Sequence, residues 1–160
     1  MKRILFSNDN LGGLARLIFI PAESFRRIKM DFSTGKRYVS VSSTEDILEL
    51  VVPVGGLYSF NEQMGLEDGS PFFDVRIEGI VPRMDTMPGV REELERGEWI
   101  VLHTDRNGTS RLSGMADVPM TFFSHRVSGS SPSALNANRF ALVGKEPVPS
   151  VEVEPDVIIE

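Results

Sequence analysis

No cysteine occurs in this chain, so disulfide staples, thiolate nucleophiles and cysteine-ligated zinc are excluded at the outset. Long hydrophobic runs are missing as well. The N-terminus, MKRILFSNDNLGGL, has two basic residues but only Ile-Leu-Phe as an apolar run, far short of a signal-peptide core. No stretch approaches the ~18 apolar residues that span a bilayer. The expectation is a protein made and kept in the cytoplasm, or in a particle assembled there, without membrane contact. Positive charge is also in deficit. Lys and Arg total 17 against 23 Asp and Glu, a formal net charge of -6. That balance argues against general nucleic-acid binding through a basic surface. A local basic cluster remains, since Arg26, Arg27, Lys29, Lys36 and Arg37 lie close together in sequence.

Catalytic vocabulary is sparse too. The two histidines, His103 and His125, each sit within strand-like runs. There is no G-x-S-x-G and no serine on a strand-to-helix elbow, so no nucleophilic triad is expected. The adjacent acids of GLEDG, 65 to 69, read as a turn, because adjacent side chains diverge. Neither LGG at 11 to 13 nor VGG at 54 to 56 has the lysine and helix start of a phosphate loop. No catalytic residue, cofactor, metal or small-molecule substrate is expected.

The segment HTDRNGTSRLSG, 103 to 114, is the one stretch that imitates a metal site. If Gly108 is the sixth position of a calcium loop, the first is His103 and the twelfth is Gly114, and both outer ligands fail. Strand-like residues flank it on both sides. Asn107-Gly108 therefore reads as a two-residue hairpin turn of type I′, which needs positive φ at both positions. In that register Arg106 faces Thr109 and His103 faces Leu112. Trp99, Val101, His103 and Leu112 then share one face, with Ile100, Leu102 and Thr104 on the other. A strand apolar on both faces lies between two layers, or turns one face to another subunit.

What is present elsewhere is a β pattern. Hydrophobic residues make up 41% and charged residues 25% of 160, enough for one core. Short apolar runs recur roughly 8–15 residues apart with Gly, Pro, Ser, Asn or Asp between them, as in an antiparallel domain. Strands are expected in LARLIFI, KRYVSVS, DILELVVP, LYSFNEQ and FFDVRIEGIVP, then in EWIVLHTD, TSRLSG, VPMTFFSHRV and RFALVG. Phe73, Val75 and Ile77 alternate with Asp74, Arg76 and Glu78. Two short helices are expected. One lies in AESFRRIKM, where Phe25 and Ile28 are three apart. The other is PGVREELERG at 88 to 97, with Pro88 at its first turn, Gly97 past its end and Val90 and Leu94 as a thin apolar stripe. The fold class expected is mainly β (α+β). It is an antiparallel β-sandwich or partly open barrel of about eight strands with one or two short flanking helices.

A single domain is expected over 1–147. Within it SGSSPSALNAN, 128 to 138, reads as a long loop. Residues 148–160 read as an extended acidic tail that is disordered or adds as an edge strand to a neighbour. The residues placed at interfaces are Ser128, Gly129, Ser130, Ser131, Asn136 and Asn138 of the loop, and Val151, Val153, Val157, Ile158 and Ile159 of the tail.

The order of the C-terminal half adds a likeness. VREELERG, WIVLHTD, the Asn-Gly turn, RLSGMADVPMTFF, a Ser/Gly loop and NANRFALVG follow one another over roughly residues 88 to 147. This order resembles small structural proteins of tailed phages and prophages of gut Bacteroidota. The resemblance implies a tail-tube-like fold whose subunits join into rings through loops and termini. It implies a non-enzymatic virion or tail-associated component, either a homo-oligomer or a partner of other particle proteins. The alternative from another class is a ligand- or carbohydrate-binding β-sandwich.

Overall fold

A computed structural model describes residues 11–53, 55–81, 89–127 and 137–160. These contain twelve strands and one helix. The chain runs β1 (Leu14–Pro21), β2 (Phe25–Met30), β3 (Arg37–Val41), β4 (Leu48–Val51), β5 (Tyr58–Glu67) and β6 (Ser70–Val81). It continues with α1 (Val90–Arg96), β7 (Glu98–Asp105), β8 (Ser110–Ser113), β9 (Met120–Val127), β10 (Ala137–Glu146), β11 (Val151–Val153) and β12 (Val157–Ile159). Nine strands form one sheet, in the order β11-β8-β7-β9-β10-β6-β5, with β1 on β7 and β4 on β1. The other three form a small sheet, β12-β3-β2. The architecture is an open, mainly antiparallel β-sandwich rather than a closed barrel. None of the described helices is long and apolar enough to cross a membrane.

Two strands sit at the centre, and their composition explains why. In β1, Leu17 and Phe19 face one core while Ile18 and Ile20 face another. In β7, Trp99 and Val101 join the first core, and Ile100 and Leu102 join the second. Such strands have no polar face to give to water, so both sides must be covered. The large sheet curls over the first core, bringing Tyr58 of β5, Val75 and Ile77 of β6, Phe122 of β9 and Phe140 of β10 onto it. An aromatic string crosses this core: Trp99 meets Phe19 edge-on at 5.9 Å, Phe122 stacks on Phe140 at 5.4 Å, and Phe140 meets Tyr58 at 5.6 Å. The small sheet covers the second core with Val39 and Val41.

The sheet curls where β7 changes partners. β1 runs along one edge of β7, from Leu14 opposite Asp105 to Pro21 opposite Trp99. Along the other edge, β8 pairs with Val101–Thr104 and β9 takes over at Glu98 and Trp99. Gly114 makes the handover. Its φ is 87°, and a Cβ there would lie 3.0 Å from the Trp99 carbonyl oxygen. The C-terminal helix of the two expected ones is present as α1, and Leu94 is its buried residue. Trp99 Nε1 donates to the Leu94 carbonyl at 2.9 Å and pins the helix to the sheet.

Three expectations need correction. Residues 25–30 form β2, not a helix. A bulge between Phe25 and Arg27 places Phe25 opposite Val41 and Ile28 opposite Val39. Both therefore share one face of a strand although they are three residues apart. The Asn107-Gly108 turn is a three-residue loop, not a two-residue one. Asp105 pairs with Thr109 through its backbone N–H, and only Gly108, at φ 84°, has positive φ in the loop. The Asp105 carboxylate accepts from the N–H groups of Asn107 and Thr109, which holds that wider turn. The register moves by one, so His103 faces Arg111 and Leu112 faces Leu102, in the second core rather than beside Trp99. The positive φ pair occurs instead at Asp68 and Gly69, at 50° and 80°, joining β5 to β6. Finally, residues 148–160 belong to the sandwich, as described below.

Leu102→Ala should cost about 2–5 kcal/mol, because the second core is small and cannot collapse around the gap. Gly108→Ala should cost about 1 kcal/mol through its positive φ. Urea unfolding checks both, with a lowered midpoint and an unchanged slope.

Candidate functional site

The face of β7 that carries Trp99 and Val101 ends in His103 and Asp105. There the curled sheet opens into a cleft of about 230 Å³ between the start of β1, β5 and the β7–β8 hairpin. Phe60, His103, Asp105, Asn107 and Arg111 line it. Phe60 of β5 lies over the His103 ring, centroid to centroid 4.3 Å. Arg111 stands opposite His103, with its guanidinium 3.7 Å from Asp105 Oδ2.

Below the cleft a polar chain runs into the protein. His103 Nε2 is 2.9 Å from Ser113 Oγ, which is 2.8 Å from Ser150 Oγ. The Ser150 N–H donates to Glu62 Oε2 at 2.7 Å. Glu146 is almost wholly buried, and its Oε1 accepts the Gly114 N–H at 2.8 Å. These bonds link β7, β8, the β10–β11 loop and β5. They seat the polar residues that an otherwise apolar face would exclude. Burial, aided by the Arg111 charge, pushes the His103 pKa down to about 3. Burial pushes Glu146 up to about 7, with the Gly114 bond pulling back and the Glu62 charge adding to the rise.

The histidine–serine pair has the contact of a nucleophile and its base, but not the setting. Ser113 has no exposed surface and its hydroxyl is shared with Ser150. A neutral imidazole held to about pH 3 is poorly matched to proton transfer near neutrality. The arrangement fastens β8 and the β10–β11 loop to β5. Asp105 is likewise occupied, with Oδ1 holding the turn and Oδ2 facing Arg111. Among the described residues no group of three or more His, Asp or Glu could hold a metal ion. His125 is exposed on β9.

The expected interface residues separate into three groups. Ser128, Gly129, Ser130, Ser131 and Asn136 lie outside the described residues. Asn138 is buried within β10. The tail residues dock on their own chain. Val151 and Val153 pair β11 with β8, and Val157, Ile158 and Ile159 pair β12 in parallel with β3. Opposite charge explains the docking. Glu154 meets Lys36 at 3.3 Å, Asp156 meets Arg16 at 3.3 Å, and Glu160 meets Lys29 at 2.9 Å and also Arg27. With Ser40 donating at 2.6 Å, these partners hold the Glu160 pKa down to about 2. Three of the five basic residues between Arg26 and Arg37 thus pair with acids of the tail.

One feature carried no motif. β5 and β6 form a long hairpin whose tip extends past the end of β10, since β10 stops pairing at Phe73. On this arm Met64 is 60% and Leu66 70% exposed. Lys145 lies 4.1 Å over the Phe72 ring, which covers Gly65, and pairs with Glu67. The alternation of LYSFNEQ and FFDVRIEGIVP predicts two strands, but not that one end of the pair runs past its neighbour β10.

The buried pair makes stability depend on pH. Folded Glu146 keeps its proton to about pH 7, against an ordinary 4.5, so its contribution falls as pH rises through that window. Folded His103 stays neutral to about pH 3, against an ordinary 6.5, so its contribution falls as pH drops through that window. Between about pH 4.5 and 6.5 the two slopes oppose. Glu146→Gln keeps an acceptor for Gly114 and removes one slope. Its stability should climb relative to the parent by on the order of 2 kcal/mol across that interval, measured by urea unfolding at stepped pH. Parallel curves would refute the assignment.

Comparison with protein-family models, with curated proteins and with solved structures finds no match to this chain.

Proposed function

We propose that this chain is a non-enzymatic structural or assembly component of a phage or prophage particle. It is a tail-tube-like, neck or tail-completion subunit that acts through self-association and contacts with other particle proteins. The observation that carries the reading is the β5–β6 arm. The tip of this hairpin, Gly65–Glu67 of β5 against Ser70–Phe72 of β6, extends past the end of β10, and Met64 and Leu66 lie exposed at and next to it. Exposed apolar side chains on a stiffened projection suit contact with another protein. The polar groups that could do chemistry are enclosed or committed to turns, as His103, Ser113 and Asp105 illustrate. The order of elements from α1 to β10 supports the same assignment through its likeness to phage structural proteins.

Light scattering coupled to size exclusion, on the full chain across a concentration series, tests it. A mass that rises with concentration to a discrete oligomer is the expected result. A strict monomer at every concentration would remove self-association from the proposal.

A further inference from the structure

Five strands end a sheet among the described residues: β2, β4, β5, β11 and β12. Four of them carry devices that discourage pairing with another chain. β11 and β12 have three residues each, and β4 has four before Pro53. β2 is bulged and carries Arg26, Arg27 and Lys29. β5 has none of these. It pairs with β6 without a register shift from Tyr58 opposite Gly79 to Glu67 opposite Ser70, and contains no proline, lysine or arginine. Its two acids are turned to its own chain, Glu62 toward the Ser150 N–H and Glu67 toward Lys145.

We propose that the open edge of β5 pairs antiparallel with β5 of a second copy of this chain, about a two-fold axis through Gln63. This deepens the assembly reading above and rests on it. The partner follows from the strand itself. A two-residue turn makes Glu67 and Ser70 a hydrogen-bonded pair, and such pairs alternate along the hairpin. The N–H and C=O groups of Phe60, Glu62, Met64 and Leu66 therefore point to the open edge. A two-fold axis normal to the sheet keeps each residue on its own face, so the strand can be centred only on a residue, not between two. Centring on Gln63 sets Phe60 opposite Leu66, Glu62 opposite Met64 and Ser59 opposite Glu67. Exposed apolar groups gain a partner and no acid faces an acid. Centring on Glu62 would oppose Glu62 to itself, and centring on Met64 would set Phe60 against Asp68 of the turn. Centring on Gly65 would set Glu62 against Asp68, and centring on Asn61 or Phe60 would carry Leu66 past the start of the partner's β5. The register about Gln63 is the one that pairs Leu66 within the strand and keeps acids apart, and such self-complementarity is what an isologous contact requires. The Lys145–Phe72–Gly65 stack holds the arm extended before the partner arrives, which lowers the ordering cost.

The absence of cysteine supplies a clean test. In the proposed pair Gln63 faces its own copy at a non-hydrogen-bonded position, with Cα atoms about 4.5 Å apart. That separation is within disulfide range. Asn61 lies about 14 Å from its own copy. Mild oxidation of the full-length Gln63→Cys chain should give mostly covalent dimer, while Asn61→Cys stays monomeric. Leu66→Lys, at a side chain already exposed in the monomer, should weaken association several-fold in light scattering. If the parent chain associates but Gln63→Cys cross-links no better than Asn61→Cys, this interface is wrong and the assembly reading stands on another surface. If the parent chain is monomeric throughout, this pairing is overturned and the assembly reading keeps only contacts with other particle proteins.

Discussion

The fold depends on one strand having no side to give to water. From Trp99 to Leu102, β7 is apolar on both faces, and the four side chains are almost completely enclosed. A strand of that kind cannot end a sheet or lie on its surface. It must have neighbours along both edges and layers above and below. β1 has the same character from Leu17 to Ile20 and pairs with it along its length. The other layers follow from this pair. The curled half of the large sheet covers one face, and the small sheet, closed by β12, covers the other. A single change of partner on β7, from β8 to β9 across Gly114, lets one continuous sheet supply both a wall and a floor.

The central strand was legible in the sequence because two-sided burial leaves an unbroken apolar run. Its register was not, because the turn was decided by a side chain rather than by the turn dipeptide. Asn107-Gly108 alone favours a two-residue loop. The Asp105 carboxylate, one turn residue earlier, binds the N–H groups of Asn107 and Thr109 and favours a three-residue loop. One residue of slip moved Leu112 from one core to the other. β2 was misread for a related reason. A bulge converts a period of two into a spacing of three, so Phe25 and Ile28 imitate a helical face while lying on a strand. In both places a local irregularity of one residue altered a pattern that is otherwise regular.

The site was less legible than the fold, and the reason is distance along the chain. His103, Ser113, Ser150, Glu62 and Glu146 come from four separate regions and carry no shared motif. Each is ordinary by itself. Their bonding follows only once the sheet curls and the β10–β11 loop crosses beneath β5. The tail shows the same limit. Its alternation announced an edge strand, but the choice between its own sheet and a neighbour's rested on charges more than a hundred residues away. Glu160 against Arg27 and Lys29 settles that choice within the chain.

The closed tail sharpens the meaning of the arm. With β11 and β12 paired within the chain, β5 is the long, regular strand that ends the large sheet among the described residues. An unprotected edge is ordinarily a route to open-ended aggregation, since each added chain presents a new edge. A two-fold contact escapes that outcome. When the two β5 strands meet, each consumes the edge the other offers, and the pair presents no further β5 edge in return. The features that make β5 look undefended are therefore consistent with one another. Regular pairing and a stiffened hairpin leave the edge available, and pairing about Gln63 closes it with one further copy.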